Sequence, residues 1–218
     1  CALPILICGN STTYSTITVS STSSLWKSNW AHVVVTRQSG TFRAFLNGVM
    51  VAAVTGATTN INGTLSTAFG VNSSLLGDYT NTYISNFRMC VGAVPTTYQT
   101  ASTTANTSVF TPPTDPLTTT SQGASNVVLL ALQSNTFVDN SSNNFTISAQ
   151  TGAKPMQLAP FSVSYSSLQA YSSSVNGGSM YLDGTSDYVN CNIVRPLTGN
   201  FTIEMWLYWN NLSSYQDR

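Results

Sequence analysis

The sequence predicts an all-β protein, two antiparallel sheets packed as a jelly-roll sandwich. Three observations predict it: helical periodicity is almost absent, short runs of β-branched and aromatic residues recur throughout, and Asn, Gly, Ser and Asp separate those runs. Many short strands joined by turn chemistry bury their apolar faces best as a sandwich or jelly roll.

Taken in order, residues 2–7 and 14–19 alternate enough apolar and β-branched side chains to read as strands. Residues 31–37 (A-H-V-V-V-T-R), 41–46 (T-F-R-A-F-L) and 50–54 (M-V-A-A-V) follow, and Asn47-Gly48 between the last two signals a type I′ hairpin turn. That turn is the strongest local signal in the chain. Residues 65–71 and 83–91 complete a first series; 127–132, 145–148, 179–182, 187–194 and 201–209 form a second. Between the series, residues 95–125 are dense in Thr, Ser and Pro and nearly free of alternation, so they read as an extended linker. The expected organisation is therefore 1–94, a linker at 95–125, and 126–218.

Composition narrows the function. Only 6% of residues are charged, with seven basic and seven acidic side chains balancing to zero, against about 25% in an ordinary soluble domain. Polarity comes instead from 62 Ser and Thr and 20 Asn. No basic stripe exists to neutralise phosphates, so nucleic acid is not an expected partner. The apolar runs are too short to span a bilayer. With one His and one Glu, the chain carries little material for general acid–base chemistry.

Four motifs carry a resemblance. Trp30 to Arg37 read W-A-H-V-V-V-T-R, followed by T-F-R-A-F-L-N-G ending at Gly48; residues 84–88 read I-S-N-F-R; residues 178–189 read G-S-M-Y-L-D-G-T-S-D-Y-V; and residues 200–208 read N-F-T-I-E-M-W-L-Y. Together they resemble laminin-G-like domains of the concanavalin A-like lectin/glucanase superfamily, and the resemblance implies a concanavalin A-like jelly roll. In that family the last two motifs precede the first two. Residues 1–94 thus resemble the later half of such a domain and 126–218 the earlier half. Three accounts fit that order: one period of a tandem array, a subunit completed by its neighbour, or a chain closed on itself as a circular permutant. The first two generate head-to-tail filaments, and the expected partner is further copies of the same chain. The chain opens on Cys1 with no leader pattern, which reads as a mature or trimmed segment. The favoured functional expectation is a non-enzymatic extracellular subunit of a fibre; the alternative is a lectin-like, glycan-binding adhesion module.

The candidate residues are few. Retaining glycosidases of the superfamily need paired carboxylates; Glu204 has none at i±2 or i±4, so no catalytic residue is assigned, and His32 reads as a framework residue of its strand. Asp187 and Asp139 sit in oxygen-rich turns and are the candidates for a calcium ion, as the resemblance implies, although both segments read more readily as turn formers. Trp209, at the end of its strand, is the candidate sugar-stacking aromatic; Trp26, Trp30 and Trp206 complete the tryptophans. Glycosylation sequons begin at Asn10, Asn62, Asn72, Asn106, Asn140, Asn144, Asn200 and Asn211, a number that the abundance of Asn, Ser and Thr nearly explains by itself. Four cysteines, Cys1, Cys8, Cys90 and Cys191, allow three pairings. Because first and last strands of such sandwiches are neighbours, the resemblance implies a disulfide between Cys90 and Cys191.

Overall fold

The structure is a computed structural model that describes residues 2–10, 13–20, 29–57, 68–70, 79–161, 178–191 and 199–210, the first two of these as backbone alone. The described strands are β1 (Ala2–Asn10), β2 (Thr13–Ser20), β3 (Ala31–Gln38), β4 (Thr41–Leu46), β5 (Val49–Val54), β6 (Ala68–Phe69), β7 (Asn81–Val91), β8 (Val127–Ala131), β9 (Ser148–Gln150), β10 (Lys154–Met156), β11 (Ser179–Asp183), β12 (Tyr188–Asn190) and β13 (Phe201–Trp209). Helical structure among the described residues is two single 3₁₀ turns, Thr96–Tyr98 and Ser121–Gly123.

All described strand pairs are antiparallel, in a sandwich. The large sheet runs β10-β11-β7-β13-β3-β4-β5, with β8 also paired to β7; β6-β12-β9 form a small sheet, and β1-β2 a hairpin. β7 is long enough to carry β11 along Asn81–Ile84 and β8 along Phe87–Cys90 on one edge, leaving its other edge for β13. The strand order also settles where the two motif-bearing halves meet. β11 and β13 come from the later part of the chain; they flank β7 on its two edges, and β13 separates it from β3. The head-to-tail expectation presupposed a half sandwich with an open face; here both halves interleave within one chain. The stretch joining 215–218 to residue 1 lies outside the described residues.

Strand periodicity explains the main core. Phe201, Ile203 and Leu207 of β13 point one way with Ala31, Val33 and Val35 of β3, Phe42, Ala44 and Leu46 of β4, and Phe87 and Met89 of β7. They meet Phe69 and Val189 of the small sheet and Cys191 beside it. The hairpin at Asn47-Gly48 forms as expected, with φ of 48° and 82° at the two turn residues.

The large sheet is buried on its opposite face as well. Residues 95–125, expected as a linker, do run mostly without regular structure, yet they lie across this second face as a strap. Tyr98 is fully buried, and Phe110 and Leu117 nearly so. Tyr98 and Phe110 pack with Val34, Phe45, Met50 and Val94 in a second apolar cluster. The strap also hydrogen-bonds the start of β5: Met50 N–H donates to Thr107 O at 2.8 Å, Asn106 N–H to Met50 O at 2.7 Å, and Val109 N–H to Gly48 O at 2.9 Å. A side chain at Gly48 would collide with the Phe110 carbonyl, only 1.8 Å from its Cβ position, so close approach of the strap requires glycine here.

The differences from the expected elements are local. Residues 145–148 give way to β9 at Ser148–Gln150, and β10 includes Pro155, tolerable because β10 is the edge strand of the sheet.

Candidate functional site

On β13 the side chains that alternate with the core set are Thr202, Glu204 and Trp206, all buried. Register places Glu204 opposite Arg88 of β7 and Val34 of β3, and Trp206 opposite His32. The pairing of β7 with β13 slips between Glu204 and Trp206, and Asn86 there adopts φ of 50°. This bulge resets the alternation of β7. Ile84 and, beyond it, Phe87 and Met89 join the main core; Arg88 turns to the opposite face, where its Nη2 lies 2.6 Å from Glu204 Oε1 with both side chains fully buried.

Arg88 also ties down the strap. Its Nη1 donates to Thr118 O at 2.7 Å and to the carbonyl and hydroxyl oxygens of Ser121, each at 2.9 Å. Asn86 adds a second tie, its Oδ1 accepting from Leu117 N–H at 3.0 Å and from Gln133 Nε2 at 2.9 Å. The Tyr98 hydroxyl abuts the ion pair; burial first, then the Glu204 charge, pushes its pKa far up. Burial likewise drives Glu204 above the ordinary carboxylate range, against the pull of Arg88. His32 is enclosed by the rings of Trp206, Phe110 and Tyr98 at 5.0, 5.9 and 6.2 Å. Burial, helped by the Arg88 charge, lowers its pKa to about 3. This polar core lacks the arrangement that hydrolysis needs: Glu204 is sealed, salt-bridged and without a neighbouring carboxylate on its strand. It acts as a clamp between sheet and strap.

The His32 shift sets a pH dependence. The unfolded chain takes up a proton near pH 6.5 whereas the folded chain resists it down to about 3. The contribution of neutral His32 is therefore complete above pH 6.5 and is lost as pH falls through that window, by about 1.4 kcal/mol per pH unit. Urea midpoints measured from pH 7 to pH 4 should fall more steeply for the wild type than for His32→Phe, which keeps the aromatic packing and cannot titrate. Parallel curves would refute the assignment.

Beyond the strap, the same face carries a half-buried row of aromatic rings, three from the adjacent strands β13, β7 and β11 and one, Trp30, from the residue that precedes β3. Trp30 meets Tyr208 at 5.7 Å, Tyr208 meets Tyr83 at 5.8 Å, and Tyr83 meets Tyr181 at 4.9 Å. The first two contacts are edge-on; Tyr83 and Tyr181, tilted by 36°, come nearest to a shared platform. These tyrosines follow from strand parity and were not singled out in the sequence. Their signal was present in Y-x-S and L-Y-W patterns, but only the strand order aligns them.

The other candidates are placed as follows. Trp209, expected as the exposed stacking residue, is half-buried and packs on the main core, because β13 parity sends it with Leu207. Asp139 is buried and accepts from Leu130 N–H at 3.0 Å, Ser141 N–H, Ser141 Oγ and Phe145 N–H, each of the latter at 2.9 Å. Those four donors suit a turn organiser. Asp187 is buried and accepts from Asp183 N–H at 3.2 Å. Among the described residues no group of three or more His, Cys, Asp or Glu side chains is arranged to hold a metal ion. Within the chain, Cys90 and Cys191 are separate buried thiols. The bulge turns Cys90 toward Arg88 and Glu204, whereas Cys191 joins the main core near Asp139; burial raises their pKa values to about 11 and about 12. Of the sequons, Asn106, Asn140 and Asn144 are exposed. Asn200 is half-buried, its Oδ1 accepting from Ser39 N–H at 2.9 Å. Asn62, Asn72, Asn211, Trp26 and Cys1 lie outside the described residues, and Asn10 and Cys8 are described as backbone alone.

Residues 5–95 match a family model described as the concanavalin A-like lectin/glucanases superfamily. No curated protein and no solved structure matches the chain. The match covers β3, β4, β5 and β7; the motifs at 178–189 and 200–208 lie beyond it and join the same sheet through β11 and β13. No helix among the described residues is long and apolar enough to cross a membrane.

Proposed function

From a concanavalin A-like match over residues 5–95, we propose that this chain is a non-enzymatic, extracellular glycan-binding module whose contact surface is the aromatic row Trp30, Tyr208, Tyr83 and Tyr181. The observation that carries this reading is the row itself. Three adjacent strands each present one half-buried tyrosine on the same face, and Trp30, immediately before β3, continues the row. Sugar rings offer apolar C–H faces to aromatic surfaces and hydroxyls to polar ones, and a surface rich in Ser, Thr and Asn supplies the second. The uncharged character of the chain favours neutral glycans over sulfated or phosphorylated polymers along this row.

A glycan array probed with the chain, followed by titration of any hit, tests the reading. Tyr83→Ala should weaken binding about tenfold, as truncation of a central aromatic contact does, with the fold retained by circular dichroism. Absence of binding to any neutral glycan, or equal affinity of Tyr83→Ala and wild type, would overturn it.

A further inference from the structure

A second site lies at the other end of β3 from Trp30. A surface groove of about 440 Å³ is lined by Gln38, Ser39, Thr41, Arg43, Gln99 and Thr100. The hairpin between β3 and β4 forms one wall and the strap the other. Arg43 of β4 forms its floor and is only 5% exposed. Its Nε donates to Ser102 O at 2.8 Å, and its buried Nη1 has no hydrogen-bond partner. Among the described residues no carboxylate lines the groove. Burial lowers the Arg43 pKa.

A buried cation without a counter-ion is costly unless something supplies the opposite charge. The groove can receive it. We propose that it binds the carboxylate of a small polyhydroxylated acid, with the Arg43 guanidinium at the floor supplying the opposite charge and the hydroxyl and amide groups of the rim holding the ligand's hydroxyls. The rim chemistry fits that ligand. Thr100 Oγ1 accepts from Ser102 N–H at 3.1 Å and keeps its own proton to donate; Gln38 Oε1 accepts from Thr100 N–H at 3.4 Å and leaves its amide nitrogen available. A dianion such as sulfate or phosphate is a poorer match, because one guanidinium neutralises one charge and Nε is already engaged. This inference does not rest on the aromatic row.

The test is a calorimetric and NMR titration of the chain with D-galacturonate, galactose, acetate and inorganic sulfate. Galacturonate should bind at least tenfold more tightly than each of the other three, and chemical shifts should move at Gln38–Thr41 and Gln99–Ser102. Arg43→Gln should weaken galacturonate about tenfold or more through loss of charge-assisted hydrogen bonds. Thr41→Val, which keeps the strand and the charge, should weaken it about threefold and decides the matter if Arg43→Gln does not fold. Galactose binding as tightly as galacturonate, sulfate binding more tightly, or wild-type affinity in Thr41→Val together with any folded Arg43→Gln would each overturn the proposal.

Discussion

Arg88→Met should destabilise the chain by about 3–5 kcal/mol, the cost of stranding a buried charge. The partner, Glu204, is fully buried and has its counter-ion only 2.6 Å away. The same substitution deletes the bonds that hold Thr118 and Ser121 to the sheet. A loss of that size is a large part of the roughly 5–15 kcal/mol that ordinary domains possess. Guanidinium denaturation of the variant measures it. The double variant Arg88→Met/Glu204→Leu removes both charges and should recover much of the loss, because an apolar replacement of a buried pair is often neutral or stabilising. If Arg88→Met alone unfolds within about 1 kcal/mol of wild type, the pair is not sealed from solvent and the clamp is wrongly assigned.

Tyr98→Ala should cost about as much, roughly 3–5 kcal/mol, by leaving a large cavity beneath the strap. Tyr98 is fully buried, 4.4 Å from the Phe110 ring and 6.2 Å from that of His32. Hydrogen exchange separates its effect from a general loosening. Amides that join the strap to the hairpin, such as Met50 and Val109, should lose protection before those of β3 and β13. A flexible linker would predict a cost below about 1 kcal/mol, the usual range for surface substitutions, and no change in exchange.

Much of the sheet was legible because local rules act over a few residues. Asn47-Gly48 needs positive φ at two successive positions, and Asn-Gly supplies it cheaply, so the hairpin could be read directly. The alternation of 201–209 marked one apolar face and hinted that Glu204 was covered. What covers it could not be read. Tyr98, Phe110 and Leu117 are separated by 12 and 7 positions in a Thr- and Pro-rich stretch, with no period to mark them as anchors. They bury their side chains because the second face of the sheet offers apolar and hydrogen-bonding partners from strands far away in sequence. The separate placement of Cys90 and Cys191 within the chain has a related reason. Strand neighbourhood alone suggested closeness, but a single bulge at Asn86 changed which way Cys90 points.

The aromatic row shows the same division at the candidate site. Tyr83, Tyr181 and Tyr208 each sit in a strand that local propensity predicts, and Trp30 immediately precedes one. Their alignment depends on β13 lying between β7 and β3 and on β11 lying beside β7, contacts between positions more than 90 residues apart. The amino-acid sequence alone determined the strand content, the sparse acid–base chemistry and the near-absence of charge, because those follow from residue type and short-range spacing. Tertiary structure decided that the strap seals the second face, that the two halves interleave, and which rings and cations meet, because these contacts are nonlocal and become favourable only after the sheet has formed.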